Sequence, residues 1–138
     1  MTPRRILVTG AGGPAGANFI RSLREAPEEY HIVAADCNPF HLEWTGADQV
    51  HVSPTAGDPG YIGFLNDLIT REGIEFLHPQ PDVEVRAISE NRDQIATRTL
   101  LPRATTVAAC QDKLASARAW ERAGLLAHPG ILIEDFQD

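Results

Sequence analysis

Short apolar runs recur along the chain, and stretches with helical periodicity fill the gaps between them. Arg4–Thr9 (RRILVT) is an apolar run of strand length, closed by glycine, and predicts a buried strand. A helix follows over residues 14–26, where Gly16, Phe19, Ile20 and Leu23 share one face and Pro14 suits the first position. Residues 30–35 (YHIVAA) predict a second strand that ends at Asp36, and Gln49–Val52 predicts a third. Asp58 and Pro59 mark a helix start, Tyr61, Ile62, Leu65, Leu68 and Ile69 form its apolar stripe, and Gly73 stops it. A fourth strand over 74–78 is broken by Pro79 and Pro81, ahead of a polar helix to about residue 95. A fifth strand covers 99–101; Thr105 caps a short helix through Cys110, Asp112 caps another to Ala123, and a last strand covers 131–133.

Strands alternating with helices predict an α/β fold: a doubly wound parallel sheet in three layers, α/β/α, with right-handed crossovers. The 138 residues suffice for one core without a disulfide or metal staple, and 43% hydrophobic with 22% charged residues is ordinary globular composition. Net charge is −7, and the only tight basic groups are Arg4/Arg5 and Arg21/Arg24, which argues against nucleic acid and anionic membranes as partners. No apolar run approaches a bilayer span and the start of the chain is not a signal peptide, so a cytoplasmic location is expected. Cys37 and Cys110 lie far apart with no CxxC spacing and are expected to be free, buried thiols.

Residues 9–16 (TGAGGPAG), between a predicted strand and helix, carry the strongest chemical signal. A side chain at Gly10 or Gly12 would obstruct a tight turn or an approaching ligand, and Gly16 lets the helix pack closely on the strand. Amide groups at the helix start favour an anion. Asp36 closes the second strand, where a dinucleotide fold places its acidic residue. The spacing Gly10, Gly13, Gly16 also fits TGxxGxxG of short-chain dehydrogenases, so an NAD(P)-binding module is one alternative. It lacks the Tyr-x-x-x-Lys pair, since Ala34 and Leu65 stand four residues after Tyr30 and Tyr61. No GxSxG, P-loop or HExxH pattern occurs, and the five histidines show no ligand spacing, so neither a catalytic residue nor a metal site is assigned.

A second set of residues points elsewhere. Cys110-Gln111-Asp112-Lys113 opens a helix that ends at Ala123-Gly124-Leu125, with Ile131-Leu132-Ile133 beyond. Together with ILVTGAGGPAG, the DCNPFH of residues 36–41, the PQPDVE of 79–84 and the SENRD of 89–93, this resembles the pre-ATP-grasp, Rossmann-like N-terminal domain of carbamoyl-phosphate-synthase-like ATP-grasp ligases. The resemblance covers essentially the whole chain and is specific in combination. It departs from the family pattern in Leu126-Ala127-His128-Pro129, where a proline usually follows Ala-Gly-Leu more closely.

The resemblance implies residues 1–111 as the pre-ATP-grasp domain and 112–138 as a linker helix and first strand leading toward ATP-grasp lobes beyond Asp138. ATP and magnesium would bind only with those lobes, supplied in cis or in trans, and the chain alone would complete no ligase cycle. In the whole enzyme a carboxylate would be joined to an amine through an acyl-phosphate. Lys113 would reach the nucleotide phosphates, although a lysine in the first turn of a helix is also simply a solvated cation. The substrate, a small-molecule carboxylate or amine, would meet Gly10, Gly12, Gly13 and Gly16 of the turn, Asp36 and Asn38 after the second strand, and Asp82 and Glu84 after the fourth. Ordinary structural roles compete for each: Asp36 and Asn38 can form an Asx turn before Pro39, and Asp82 and Glu84 can serve as acidic residues at a helix start. Trp120 on the last helix would leave an apolar patch, from which self-association through the region after Lys113 is expected. A non-catalytic regulatory or scaffold domain is the remaining alternative.

Overall fold

A computed structural model describes residues 2–127. Two compact units divide the chain after Leu101. The first holds a five-stranded sheet in the order β3-β2-β1-β4-β5, formed by β1 (Arg4–Thr9), β2 (Tyr30–Asp36), β3 (Gln49–Val52), β4 (Phe76–Pro79) and β5 (Arg98–Thr99). Every neighbouring pair is parallel. The helices of this unit are α1 (Pro14–Arg24), α2 (Pro39–Leu42), α3 (Tyr61–Glu72) and α4 (Asp82–Glu90). The second unit contributes α5 (Ala104–Gln111) and α6 (Lys113–Arg122).

The period of two along each strand sends alternate residues into two separate cores. Ile6, Val8, Ile32 and Ala34 pack with Ile20 of α1 and Leu42 of α2. Leu7, Val33, Ala35 and Leu77 pack on the opposite face with Tyr61, Leu65 and Leu68 of α3 and Ile88 of α4. Burial on both faces explains why β1 and β2 read as continuous apolar runs rather than alternating ones. The three-layer α/β arrangement expected from the sequence is the one observed.

Several boundaries differ from expectation, each for a local reason. α3 begins at Tyr61 rather than at Pro59, because Asp58 folds a turn first: its Oδ1 accepts from Gly60 N at 2.7 Å and its carbonyl from Tyr61 N at 3.0 Å. Ile74 closes α3 instead of opening β4: with Gly73 in the left-handed region (φ 61°), its N–H donates to Ile69 O at 2.9 Å. The polar helix stops at Glu90, and Arg92–Gln94 continues only as a 3-10 turn. β5 falls at Arg98–Thr99, short of 99–101. Arg103, not Thr105, occupies the cap position of α5. Asp112 does cap α6, its side chain accepting from Ala115 N at 2.8 Å. α2 was not expected from the sequence. Both cysteines are free, but they are exposed rather than buried. The strand expected over 131–133 lies outside the described residues. Among the described residues no helix is long and apolar enough to cross a membrane.

Candidate functional site

β1 lies at the centre of the sheet, with β2 on one side and β4 on the other. Chain direction therefore diverges at its carboxyl end, the position at which open α/β sheets hold ligands. The glycine turn of residues 10–13 leaves β1 there and enters α1.

The turn is closed by the chain's own groups. Gly12 N donates to Asp36 Oδ2 at 3.0 Å, and Asn38 N donates to Asp36 Oδ1 at 2.9 Å. Asp36 is itself buried. It ties the turn to the loop after β2. Asn38 makes the expected Asx turn, its Oδ1 accepting from Phe40 N at 3.1 Å, and so caps α2. Gly12 is required by a close approach, for a Cβ there would fall 2.1 Å from His41 Cβ and 2.8 Å from the His41 backbone. The space freed at Gly12 thus receives α2. A Cβ on Gly16 would fall 2.7 Å from Ala11 Cα and from Gly10 O, so Gly16 does bring α1 onto the end of β1. Gly13 precedes α1 with ordinary backbone angles, and no side chain caps that helix.

On the other side of the turn lies a polar cluster enclosed by the core. Leu7 faces α3 and α4, and Thr9, two residues on, shares that face. Tyr61 at the start of α3 and Glu84 in the first turn of α4 belong to the same region, and all three are nearly inaccessible, at 1%, 1% and 5%. A Cβ placed on Gly10 would lie 3.5 Å from Glu84 Oε2, which sets the carboxyl beside the glycine turn. Thr9 Oγ1, Tyr61 OH and Glu84 Oε2 are buried without a well-formed hydrogen bond. Burial pushes the Glu84 carboxyl above its ordinary pKa; the Thr9 and Tyr61 hydroxyls partly oppose this, and the Asp36 charge adds to it. Burial, reinforced by the Glu84 charge, also pushes the Tyr61 phenol far up. A carboxyl so placed retains its proton more readily than a solvated one, and with the two hydroxyls it forms an enclosed polar trio beside the glycine turn.

The structure thus brings together Gly10, Gly12, Gly16, Asp36, Asn38 and Glu84, all named from the sequence. Asp82 is exposed, as the first residue of α4, where a carboxylate complements the helix dipole. Lys113 is exposed as the first residue of α6 in the other unit. Thr9 and Tyr61 were not singled out. The signal for Thr9 was a hydroxyl terminating an otherwise apolar buried strand; Tyr61 was hidden within an apolar helical stripe. The described residues do not fit a magnesium or nucleotide site by themselves. No group of three His, Cys, Asp or Glu among them could hold a metal ion, and Gly12 N, which a phosphate would need, already serves Asp36.

No family model matches the sequence, and no curated protein matches it. Its fold does recur in solved structures. The biotin carboxylase domain of the Hydrogenobacter thermophilus 2-oxoglutarate carboxylase, solved with MgADP, ADP and bicarbonate, aligns with 95% of this chain and 30% of its own length, at TM-score 0.63 and 20% identity. An L-amino acid ligase from Bacillus licheniformis aligns with 100% of this chain and 35% of its own, at TM-score 0.67 and 11% identity. Both are ATP-grasp enzymes. The chain shares the α/β fold of the aligned part of both. It spans about a third of the length of these two proteins, 30% of one and 35% of the other. This fold is Rossmann-like, and the likeness extends to UDP-D-quinovosamine 4-dehydrogenase from Vibrio fischeri, with TM-score 0.51 and 19% identity over 80% of this chain and 87% of that one.

Proposed function

We propose that this chain is the substrate-binding N-terminal part of an ATP-grasp carboxylate–amine ligase. The fold supports the ligase class, and the buried polar trio of Thr9, Tyr61 and Glu84 beside the glycine turn carries the assignment of a substrate site. An amine or hydroxyl donor suits this edge better than a free carboxylate, because the carboxyls of Asp36 and Glu84 both stand beside the glycine turn. Gly10, Gly12, Gly13 and Gly16 shape the turn beside the site, while Asp36 and Asn38 hold it. ATP and magnesium are supplied by lobes outside residues 1–111, in cis or in trans, and residues 112–138 lead toward them, with Lys113 turned to the nucleotide. These lobes are the chain's principal partner, and the chain by itself turns over no substrate. The cytoplasm is its proposed location.

Backbone amide shifts of the full chain titrated with L-alanine amide test the site. Saturable shifts at Thr9, Gly10 and Glu84, weakened about tenfold in Glu84→Gln, are expected, since a hydrogen bond to a charged partner is worth about 1.5–3 kcal/mol. Shifts that do not saturate, or that Glu84→Gln leaves unchanged, overturn it. Saturable binding of NAD+ centred on residues 12–16 would favour the dehydrogenase-like alternative.

A further inference from the structure

The opposite, amino edge of the same sheet carries a second feature that the proposed ligase role does not use. β1 begins two residues before β4 joins it: Arg4 pairs with Tyr30, whereas the first partner of Phe76 is Ile6. Arg98 pairs in turn with Phe76 as β5 begins. The overhang leaves an open cavity of about 770 Å³ whose wall includes Arg4, Arg5, Arg98, Ile6, Phe76 and Ile95. Because Ile6, Phe76 and Arg98 stand in one row across the sheet, the cavity has an apolar floor with a guanidinium at its rim.

The charge balance inside it is the reverse of the molecule's. Three of the chain's 12 basic residues line it, against one acid, Glu75, in a protein of net charge −7. Arg5 is committed, since its Nη2 pairs with Glu72 Oε2 at 3.2 Å. Arg4 and Arg98 are exposed, and no ion pair or side-chain hydrogen bond engages either guanidinium among the described residues. Glu75 is spent in part on the backbone, its Oε1 accepting from Arg5 N at 3.3 Å. The neighbouring cleft, which shares Arg4 and Tyr30, carries Glu28 and Glu29, so the positive excess is confined to the side of Arg98.

We propose that this cavity is a binding site for a small organic oxyanion, a carboxylate or phosphate carried on an apolar body. Arg4 and Arg98 grip the oxyanion, as planar forks suited to it, and the apolar body lies on Ile6, Phe76 and Ile95. The site is at the far end of the strands from Thr9 and Glu84, so it stands or falls independently of the ligase reading.

Amide shifts of the full chain titrated with phenyl phosphate, benzoate, benzyl alcohol and inorganic phosphate provide the test. Phenyl phosphate and benzoate are expected to shift Ile6, Phe76 and Arg98 saturably. Arg98→Gln and Arg4→Gln should each weaken them about tenfold, and Glu75→Gln should tighten them. Both arginines are exposed, so unfolding midpoints of these variants should match the parent's. Equal binding of benzyl alcohol, equal binding of inorganic phosphate, indifference to both arginine variants, or absence of saturable shifts at this edge would each overturn the proposal.

Discussion

Glu84 shows how two neighbouring acidic residues on one helix acquire different chemistry. Asp82 and Glu84 both lie in the first turn of α4, yet Asp82 is exposed and Glu84 is enclosed beside Thr9 and Tyr61. Enclosure raises the folded-state pKa of Glu84 above its ordinary value, principally by desolvation. Between those two values the native state holds a proton that the unfolded chain has lost, so stability declines as pH rises through that window. Glu84→Gln removes this cost. Its unfolding midpoint should exceed the parent's by about 4 °C at pH 8, for a gain of about 1 kcal/mol, and converge on it at pH 4, as thermal melts across the range would read. A variant that gains stability while losing amine binding would mark Glu84 as a group held against its structural preference, as functional carboxyls often are.

At the scale of elements, the turn between β1 and α1 is a joint between three pieces of chain. α2 is only four residues long and rests on Gly12 through His41. Gly12→Ala should therefore push α2 aside and cost about 2 kcal/mol by urea unfolding, in the range for overpacking a tight contact. Gly13→Ala, whose Cβ would meet only Gly10 O at an ordinary 3.5 Å, should cost less than about 1 kcal/mol. Equal costs would refute this account of the turn. β1 and β3 were legible to the residue in the sequence and β2 to within one, and for β1 and β2 the reason is that burial on both faces leaves a continuous apolar run. β4 was misplaced because Gly73 and Ile74 form a helix stop that resembles the start of an apolar strand. α2 was invisible because one turn of helix has no period, and its only signal, Asn38 before Pro39, equally describes an Asx turn. Of the site, the glycines and Asp36 could be named from spacing, and Glu84 from its place after the fourth strand and from the family resemblance. That Asp36 would close the turn, rather than await a ligand, depends on a contact 24 residues apart that no local pattern encodes.

For the whole molecule, the exposed apolar residues of the second unit bear on assembly. Trp120 on α6 is 53% exposed, and Leu125 and Leu126 just beyond are also exposed. If these residues meet a second copy when no ATP-grasp lobe is present, light scattering should show apparent mass rising with concentration toward twice the monomer's. Trp120→Lys should hold it at the monomer value. A strict monomer at every concentration for the parent chain would count against that interface.

The position of β1 has a consequence for synthesis. It precedes the other four strands, yet its second neighbour, β4, comes only after β2 and β3: Arg5 and Glu75, joined across that boundary, are 70 residues apart. Contacts of such separation slow folding. Until β4 is made the nascent chain therefore carries an apolar strand with one edge vacant, an exposure that favours wrong pairing.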